Sequence, residues 1–364
     1  MRLLIRVGML TSGGDCQALN ATMRGVVKAL NNLAGNVEIY GFENGYRGLI
    51  QGNYRRLNYK DFTGILTTGG TILGTSRTPF KLMRTIEETG IYAGIDKVEA
   101  MKATYKYLKL DCLVVLGGNG SQKTANLLSE EGLNVVSCPK TIDNDLWGTD
   151  MTFGFQSAVD LATEAIDCIH TTAASHKRVF IVELMGHKVG WVTLHAGIAG
   201  GADIILLPEI PYDLNHIIEA LKRREERGSG FSILAVAEGA ISKEDAKLSK
   251  KQYKAKIKER AYPTVSYELA QQIQEATGHE VRVTVPGHTQ RGGDPCPFDR
   301  VISSRLGARA AELIVNKEYG YMVCMKGYEV DKVPLKDIAG KLKYVSPDDD
   351  IIREARNLGI SFGD

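Results

Sequence analysis

The chain has 364 residues, of which 43% are hydrophobic, and a formal net charge of +2. This length is sufficient for two domains with a large buried core. The nearly neutral charge argues against a general nucleic-acid-binding or acidic-membrane surface, which would need an excess of basic residues. No apolar run reaches 18 residues, so we expect no transmembrane helix. The six scattered cysteines form no CxxC pair and predict reduced thiols in a cytoplasmic protein.

The first glycine-rich turn follows the apolar run Leu3 to Leu10, which predicts a first strand rather than a signal peptide. The turn contains Gly13 and Gly14, and an apolar periodicity predicts a helix over residues 18–33. Strand, glycine turn and helix together offer backbone N–H groups to an anion. A tight turn without a ligand explains two adjacent glycines equally well.

Two further glycine-rich stretches lie downstream. Residues 69–74 contain three glycines and lead to Arg77, a pattern that favours a flexible loop carrying a cation toward phosphate. A solvated arginine is the alternative. The buried-strand pattern at residues 112–116 ends in Gly117-Gly118-Asn119-Gly120-Ser121, and we expect a helix over residues 122–128 capped by Ser121.

The most informative stretch is Pro139-Lys140-Thr141-Ile142-Asp143-Asn144-Asp145, directly after an apolar run that predicts a buried parallel strand. Its groups suit phosphoryl chemistry, because a lysine can meet phosphate, one acid can accept a hydroxyl proton, and the other can hold a metal or orient the first. An ordinary polar turn is the alternative. Ligands bind at the carboxyl ends of parallel strands, so we expect the glycine turns and this stretch to line one crevice.

The strand–helix alternation restarts near residues 150–155 and predicts a second parallel-sheet domain. The lysine-rich residues 243–260 indicate a solvated helix or an exposed loop. After a last strand at residues 321–325 we expect a polar tail.

Taken in order, these motifs resemble the 6-phosphofructokinase family over nearly the whole chain. The matching segments are Thr11 to Asp15, Gly69 to Thr71 with Arg77, Gly117 to Ser121, Pro139 to Asp145, Arg178, Val182 to Gly186, Glu238 to Ala240, and Gly287 to Gly293. The resemblance implies an α/β fold of two Rossmann-like domains with mainly parallel sheets and an active site in the crevice between them. It assigns residues 1–154 and about 290–315 to a nucleotide-binding domain, and residues 155–289 and about 316–364 to a fructose 6-phosphate-binding domain.

The resemblance also implies roles for individual residues. Asp143 matches the base that takes the proton from the sugar 1-hydroxyl, Thr141 a hydroxyl at the transferring phosphate, and Asp145 a supporting acid near Mg²⁺. Lys140 and Arg77 complete the catalytic set, and Asn119 joins Asp145 as a metal contact. The implied ATP site comprises Gly14, Arg77, Gly118, Asn119, Gly120 and Ser121.

The implied sugar-phosphate site includes residues of the chain itself and of a neighbouring subunit. Its members are Thr141, Asp143, Arg178, Met185, Gly186, His187, Glu238, Arg282, His288 and Arg291. Arg178 and Arg282 match arginines that the family sends into the neighbour's site, which implies a homo-oligomer, most often a tetramer.

Some positions depart from the family pattern and leave the donor open. Asn119 replaces a common acid and His187 a common arginine, which weakens the implied metal site and one transition-state cation. Gly120 favours ATP, because pyrophosphate users carry an aspartate there that would fill the space of the α-phosphate. Lys140 is the residue that pyrophosphate users need, so the reversible pyrophosphate-dependent enzyme is the alternative.

Two further expectations concern regulation and activity. Arg24 matches one cation of the bacterial-type effector site, whereas His170 and the segment after Pro211 do not follow its pattern. We therefore do not assume the usual allosteric control by nucleotide diphosphate or phosphoenolpyruvate. A non-catalytic sugar-phosphate- or nucleotide-binding subunit is a third hypothesis, which the retained Asp143 disfavours.

Overall fold

The computed structural model describes residues 4–364, and the chain forms two compact units. The first unit contains the chain up to Ser157 together with Arg291–Leu342, and the second contains Ala158–Gln290 with Lys343–Asp364. No helix among the described residues is long and apolar enough to cross a membrane.

Strands and helices alternate through both units. The strands are β1 (Ile5–Ser12), β2 (Val37–Phe42), β3 (Tyr54–Leu57), β4 (Cys112–Gly117), β5 (Val135–Pro139), β6 (Val179–Leu184), β7 (Ile204–Leu206), β8 (Ser232–Ala237), β9 (Val281–Thr284), β10 (Tyr321–Lys326) and β11 (Glu329–Pro334). The helices are α1 (Leu19–Ala34), α2 (Tyr46–Gln51), α3 (Lys97–Tyr107), α4 (Asn119–Glu130), α5 (Phe155–His176), α6 (Trp191–Ala199), α7 (Leu214–Glu226), α8 (Lys243–Ala246), α9 (Lys250–Glu259), α10 (Val265–Thr277), α11 (Pro297–Val315), α12 (Leu335–Ile338) and α13 (Asp350–Asn357).

The first unit is built on a seven-stranded sheet with the order β11-β10-β5-β4-β1-β2-β3. Its inner strands pair in parallel, whereas β3 and β11 run antiparallel to their neighbours at the two edges. Every residue of β4 and β5 is buried, as expected for strands covered on both faces by helices. The apolar runs that identify these strands in the sequence therefore follow directly from their central position.

Helices α1 and α11 pack closely because glycines lie at their contact. A Cβ atom on Gly307 would lie 2.7 Å from the Thr22 carbonyl oxygen and 2.7 Å from the Val26 nitrogen. A Cβ atom on Gly25 would likewise lie 3.0 Å from the Ser304 carbonyl oxygen. Only residues without a side chain permit this backbone approach.

The second unit is built on a four-stranded, wholly parallel sheet with the order β7-β8-β6-β9. Apolar residues of its strands form a core with the inner faces of α7 and α10, including Ile217, Leu221, Leu269 and Ile273. The strand–helix alternation predicted for this part of the chain is thus present.

The segment after α11 differs from the expected assignment. We expected residues 316–342 in the second domain, and a polar tail after residue 325. Instead, β10 pairs with β5 in the first sheet through Tyr321 and Val136, and β11 forms an antiparallel edge strand beside it. Strand β11 has no buried residue, and this half-exposed position explains why its sequence is as polar as that of a tail.

The lysine-rich stretch 243–260 forms the short helix α8 and the longer helix α9. Helix α9 has no buried residue, so its lysines are solvated as predicted. A capping box at Ser249 and Gln252 and the ion pair Lys256–Asp245 (2.6 Å) fix its start and one side.

We expect Gly307→Ala to lower the free energy of unfolding by about 1–3 kcal/mol, because the new methyl group meets backbone atoms that cannot move independently. Chemical denaturation measures this change. Gly120→Ala is the matched control, since a Cβ there meets no described atom within 4 Å; it should be neutral or raise stability by up to about 1 kcal/mol. Equal effects of the two substitutions would contradict the close helix contact.

Candidate active site

The carboxyl ends of β1, β4 and β5 meet at one edge of the first sheet. In the register of the sheet, Ser12 lies beside Gly117, and Gly117 lies beside Pro139. The turns that follow these three residues are therefore neighbours. Parallel pairing thus brings together the three motifs that were predicted from the sequence to line one crevice.

The Gly13–Cys16 turn is held from two sides. The Gly13 amide donates to the Ser76 carbonyl (3.1 Å), and the Thr75 hydroxyl donates to the Gly13 carbonyl (2.8 Å). Gly13 has a φ of +92°, in the region that favours glycine. The loop that precedes Arg77 is therefore tied directly to the turn, while Arg77 itself is exposed.

Two cations contact the other side of this turn. The buried Lys140 ammonium donates to the Gly14 carbonyl, and the Arg291 guanidinium donates to the Asp15 carbonyl (3.0 Å). A Cβ atom on Gly14 would lie 3.0 Å from Arg291 Nη1, so a larger residue would displace the arginine. Arg291, expected at the sugar phosphate, thus lies beside the turn expected to hold nucleotide phosphates.

Helix α4 presents its amino terminus at the same edge. The helix begins at Asn119 with Gly118 as its N-cap residue, so the predicted start at residue 122 and cap at Ser121 were wrong. Gly120 and Ser121 lie in the first turn, where backbone N–H groups have no acceptor within the helix. Weak helix formers are tolerated there, which explains why the sequence pattern suggested a loop. The free N–H groups form a ready anion site.

Residues 139–145, named the catalytic loop here for their expected role, are folded by their own polar groups. The Asp143 amide donates to the Thr141 hydroxyl (3.0 Å), and Asn144 adopts a φ of +51°. The Thr152 hydroxyl donates to the Thr141 carbonyl (2.8 Å), and the Thr152 amide donates to Asn144 Oδ1 (3.1 Å). Both acids are therefore carried on a loop whose backbone is bonded at several points.

The charges of this loop lie in a poorly solvated environment. Burial, and next the nearby Asp143 carboxylate, raise the pKa of Asp145 to about 6. Burial also lowers the pKa of Lys140, although Asp143 and Asp145 oppose this shift. The loop thus combines two interacting acids with a desolvated cation, a combination typical of functional sites.

The residues expected to contact Mg²⁺ would suit a weakly held ion. Asp145 Oδ1 is buried and accepts no hydrogen bond from any residue between 4 and 364, so it keeps a vacant acceptor. Asn119 donates its amide nitrogen to the Lys341 carbonyl (2.7 Å) and so can offer only its oxygen. Within the described residues, no three His, Cys, Asp or Glu side chains are grouped to hold a metal ion. This sparse donor set suits Mg²⁺, which keeps most of its water and phosphate ligands.

In the second unit, the carboxyl ends of β6 and β8 bring another group of candidate residues together. Glu238 Oε1 accepts the amides of Gly186 (3.3 Å) and His187 (2.7 Å), and His187 has a φ of +53°. The Met185 amide donates to Gln290 Oε1 (3.2 Å). His288 is exposed in the turn Gly287–Arg291, which comes after β9.

Arg178 and Arg282 lie elsewhere in the second unit. Arg178 precedes β6, Arg282 lies on β9 next to Phe180, and both guanidinium groups bind the Glu280 carboxylate. They are thus grouped at the amino half of the sheet, away from Met185 and Glu238 at its carboxyl end.

The structure also shows positioning residues that the sequence analysis missed. Asn20 is buried on α1 and binds the Thr68, Gly69 and Ile72 backbone, which fixes the start of the loop leading to Arg77. Gln290 supports Met185, as described above. The only sequence signal for Asn20 is a polar residue on the apolar face of a predicted helix.

Comparison with known proteins identifies the family. The phosphofructokinase family profile matches residues 6–314. An ATP-dependent 6-phosphofructokinase of Spirochaeta thermophila is 57% identical over 358 residues, which cover 98% of this chain and 97% of that protein. ATP-dependent 6-phosphofructokinase 3 of Bacteroides thetaiotaomicron is 45% identical, with 99% and 100% coverage. The chain belongs to the phosphofructokinase family.

Solved structures agree with this assignment. Phosphofructokinase of Pichia pastoris in the T-state matches with a TM-score of 0.80 and 30% identity, over 93% of this chain and 36% of that longer chain. A pyrophosphate-dependent phosphofructokinase of Nitrosospira multiformis matches with a TM-score of 0.81 but only 20% identity, over 98% and 92% of the two chains. The second similarity concerns the fold alone.

We expect the stability of the metal-free protein to decrease between pH 4 and pH 6, because the folded state holds the Asp145 proton to about pH 6 whereas an ordinary aspartate loses it near 3.8. The contribution of the protonated Asp145 to stability is complete below the unfolded-state pKa of 3.8 and is lost as pH rises through the folded-state pKa of about 6. The upper limit of this contribution is about 3 kcal/mol.

Denaturation in chelator-containing buffers across this pH range tests the prediction. Asp145→Asn should reduce the slope, whereas Asp167→Asn, at an exposed position on α5, should keep it. An unchanged slope in Asp145→Asn would contradict the elevated pKa.

Proposed function

We propose that this protein is an ATP-dependent 6-phosphofructokinase, which transfers the γ-phosphoryl group of ATP to the 1-hydroxyl of fructose 6-phosphate and yields fructose 1,6-bisphosphate and ADP. The observation that carries the proposal is the adjacency of the Gly13–Cys16 turn, the amino terminus of α4 and the catalytic loop. The full-length relatives named for ATP support the choice of substrates.

The donor side is built from backbone and small residues. The N–H groups of Asn119, Gly120 and Ser121 and the Gly14 turn hold the ATP phosphates, with Gly118 as the turn before the helix and Arg77 as an added cation. A Cβ at position 120 would meet no described atom within 4 Å. This open space beside the helix terminus accommodates the α-phosphate, which pyrophosphate lacks.

The acceptor side depends on the catalytic loop. Asp143 takes the proton of the attacking hydroxyl, and the Thr141 hydroxyl and the Lys140 ammonium face the transferring phosphate. Phosphoryl transfer asks the protein chiefly to position the reactants and to stabilise charge. Mg²⁺, when bound, neutralises phosphate charge; Asp145 and Asn119 would hold it, largely through water.

The sugar phosphate is bound by a separate set of groups. Met185, Gly186 and His187, with Glu238, bind the fructose hydroxyls, and His288 and Arg291 contact the sugar phosphate. We assign Arg178 and Arg282 to a neighbouring subunit's site, where they hold the 6-phosphate, because they lie at the opposite half of their own sheet. This assignment makes the enzyme a homo-oligomer, and we propose a tetramer. We also propose a cytoplasmic location, where ATP and sugar phosphates are made and the six cysteines, none of which is in a disulfide, stay reduced.

Pyrophosphate as the donor is the second candidate, and Lys140 favours it. The ammonium of Lys140 already binds the Gly14 carbonyl and so connects the two loops. This structural role does not depend on which phosphoryl donor the enzyme uses. Gly120 and the ATP-dependent relatives therefore decide for ATP.

We expect Asp143→Asn to lower kcat by about 10²- to 10⁴-fold, because the amide cannot accept the hydroxyl proton. Steady-state rates with fructose 6-phosphate, Mg²⁺ and ATP measure the loss, and the melting temperature should stay near that of the wild type. The exposed Asp167→Asn controls for a general effect of removing one acid. A variant with near wild-type kcat would exclude Asp143 as the base.

We expect Gly120→Asp to raise the KM for ATP by about 100-fold, since the carboxylate would occupy the space of the α-phosphate and repel its charge. The KM for fructose 6-phosphate and the melting temperature should change little, because the position has room for a side chain. Gly120→Asn separates bulk from charge and should give the smaller defect. Wild-type turnover with pyrophosphate but none with ATP would reverse the donor assignment.

A further inference from the structure

Asp299 is a fully buried carboxylate with no role in the chemistry described above. It lies in the first turn of α11, and its oxygens accept hydrogen bonds from Gly154, just before α5, and from Ser157 in the first turn of α5. Oδ1 accepts the Gly154 amide (3.0 Å), and Oδ2 accepts both the amide (2.9 Å) and the hydroxyl (2.5 Å) of Ser157. A carboxylate at a helix amino terminus satisfies unpaired N–H groups and is favoured by the helix dipole.

The segment held by Asp299, residues 152–157, is called the clip here because its other end binds the catalytic loop. The Phe153 amide donates to the Pro139 carbonyl (3.2 Å), and Phe153 forms a parallel bridge with Lys140. Thr152 bonds the Thr141 carbonyl and the Asn144 side chain, as described above. Two consecutive clip residues thus fix the backbone on both sides of Lys140 and before Asp143.

The clip also contacts the Gly13–Cys16 turn, with little space to move. The Cys16 thiol donates to the Phe153 carbonyl (3.7 Å). Gly154 has a φ of +95°, and a Cβ atom there would lie 2.6 Å from both Cβ and Sγ of Cys16. A displacement of the clip would therefore disturb the catalytic loop and the turn together.

We propose that Asp299 is a positioning residue for phosphoryl transfer: it anchors the clip and thereby holds the catalytic loop against the Gly13–Cys16 turn. This inference rests on the proposed function. In that function, Asp299 acts through the clip and contacts no reacting atom. A displacement of about 1 Å in a reacting group can cost about 10²-fold in rate, so the anchor is expected to affect kcat.

Asp299→Asn tests the anchor with almost no change in volume. The amide nitrogen of asparagine takes the place of one acceptor oxygen. Two donors then face each other, and at least one hydrogen bond to the clip is lost. We expect kcat to fall by about 10- to 100-fold while the KM values for ATP and fructose 6-phosphate stay within about threefold, because the clip orients the loop rather than the ligands.

Ile302→Val is the matched control for stability. Ile302 is buried on the same helix, one turn after Asp299, and has no polar link to the clip. Both variants should lower the melting temperature, and only Asp299→Asn should lower kcat. Should Asp299→Asn fail to fold, Ser157→Ala removes one bond to the carboxylate, together with the acceptor of the Cys296 amide. It is expected to lower kcat by about three- to tenfold with unchanged KM values.

A second readout does not use activity. Amide hydrogen exchange of peptides covering residues 139–146 and 152–154 should become faster in Asp299→Asn and stay unchanged in Ile302→Val. The double variant tests the coupling between the two ends of the clip. In a Thr152→Ala background, Asp299→Asn should lower kcat by a smaller factor than it does in the wild-type background, because the clip is already detached from Thr141.

Three results would overturn the proposal: equal kcat in Asp299→Asn and Ile302→Val, additive effects with Thr152→Ala, or unchanged exchange in the catalytic loop. Failure of the proposed function is distinguishable, because it would appear as no wild-type turnover with either ATP or pyrophosphate. In that case the exchange experiment still decides whether Asp299 anchors the loop.

Discussion

Parallel pairing of β1, β4 and β5 is the constraint on which the first unit depends. It brings three strand ends to one edge, and each end continues into a turn rich in glycine or polar residues. None of these turns could form a phosphoryl-transfer site alone. Because the sheet fixes their spacing, backbone N–H groups and two carboxylates come together without long side chains reaching across the fold.

Lys140 shows how closely these turns depend on one another. Its buried ammonium binds the carbonyl of the Gly13–Cys16 turn while its backbone belongs to the catalytic loop. Burial disfavours the charge, and the nearby acids Asp143 and Asp145 partly compensate. The cation is therefore part of the framework as well as of the proposed chemistry. Arg291 reinforces the same turn from the beginning of the chain segment that returns to the first unit.

The sequence predicts the parts of this architecture that depend on local pattern. Apolar runs followed by glycine or acid residues identify β1, β4 and β5 and their turns, because central strands buried on both faces are mostly apolar. Strand β11 was missed since an edge strand exposes much of its length. The start of α4 was misplaced because Gly118, Asn119 and Gly120 resemble a loop. Contacts such as Asp299 with Ser157 join residues 142 positions apart, and no local pattern records them.

On the proposed assignment of Arg178 and Arg282 to a phosphate-binding site, their shared use of Glu280 has a consequence for ligand choice. One carboxylate already offsets part of the charge of two guanidinium groups, so an incoming ligand must compete with it. A neutral sugar cannot replace the negative charge of Glu280. A ligand with one negative charge only matches the charge that it displaces. A phosphate dianion also binds the second guanidinium charge, which Glu280 does not offset. The exposed ion pairs that it displaces contribute little free energy. Glu280 would thus act as a charge threshold that discriminates phosphorylated sugars from free ones.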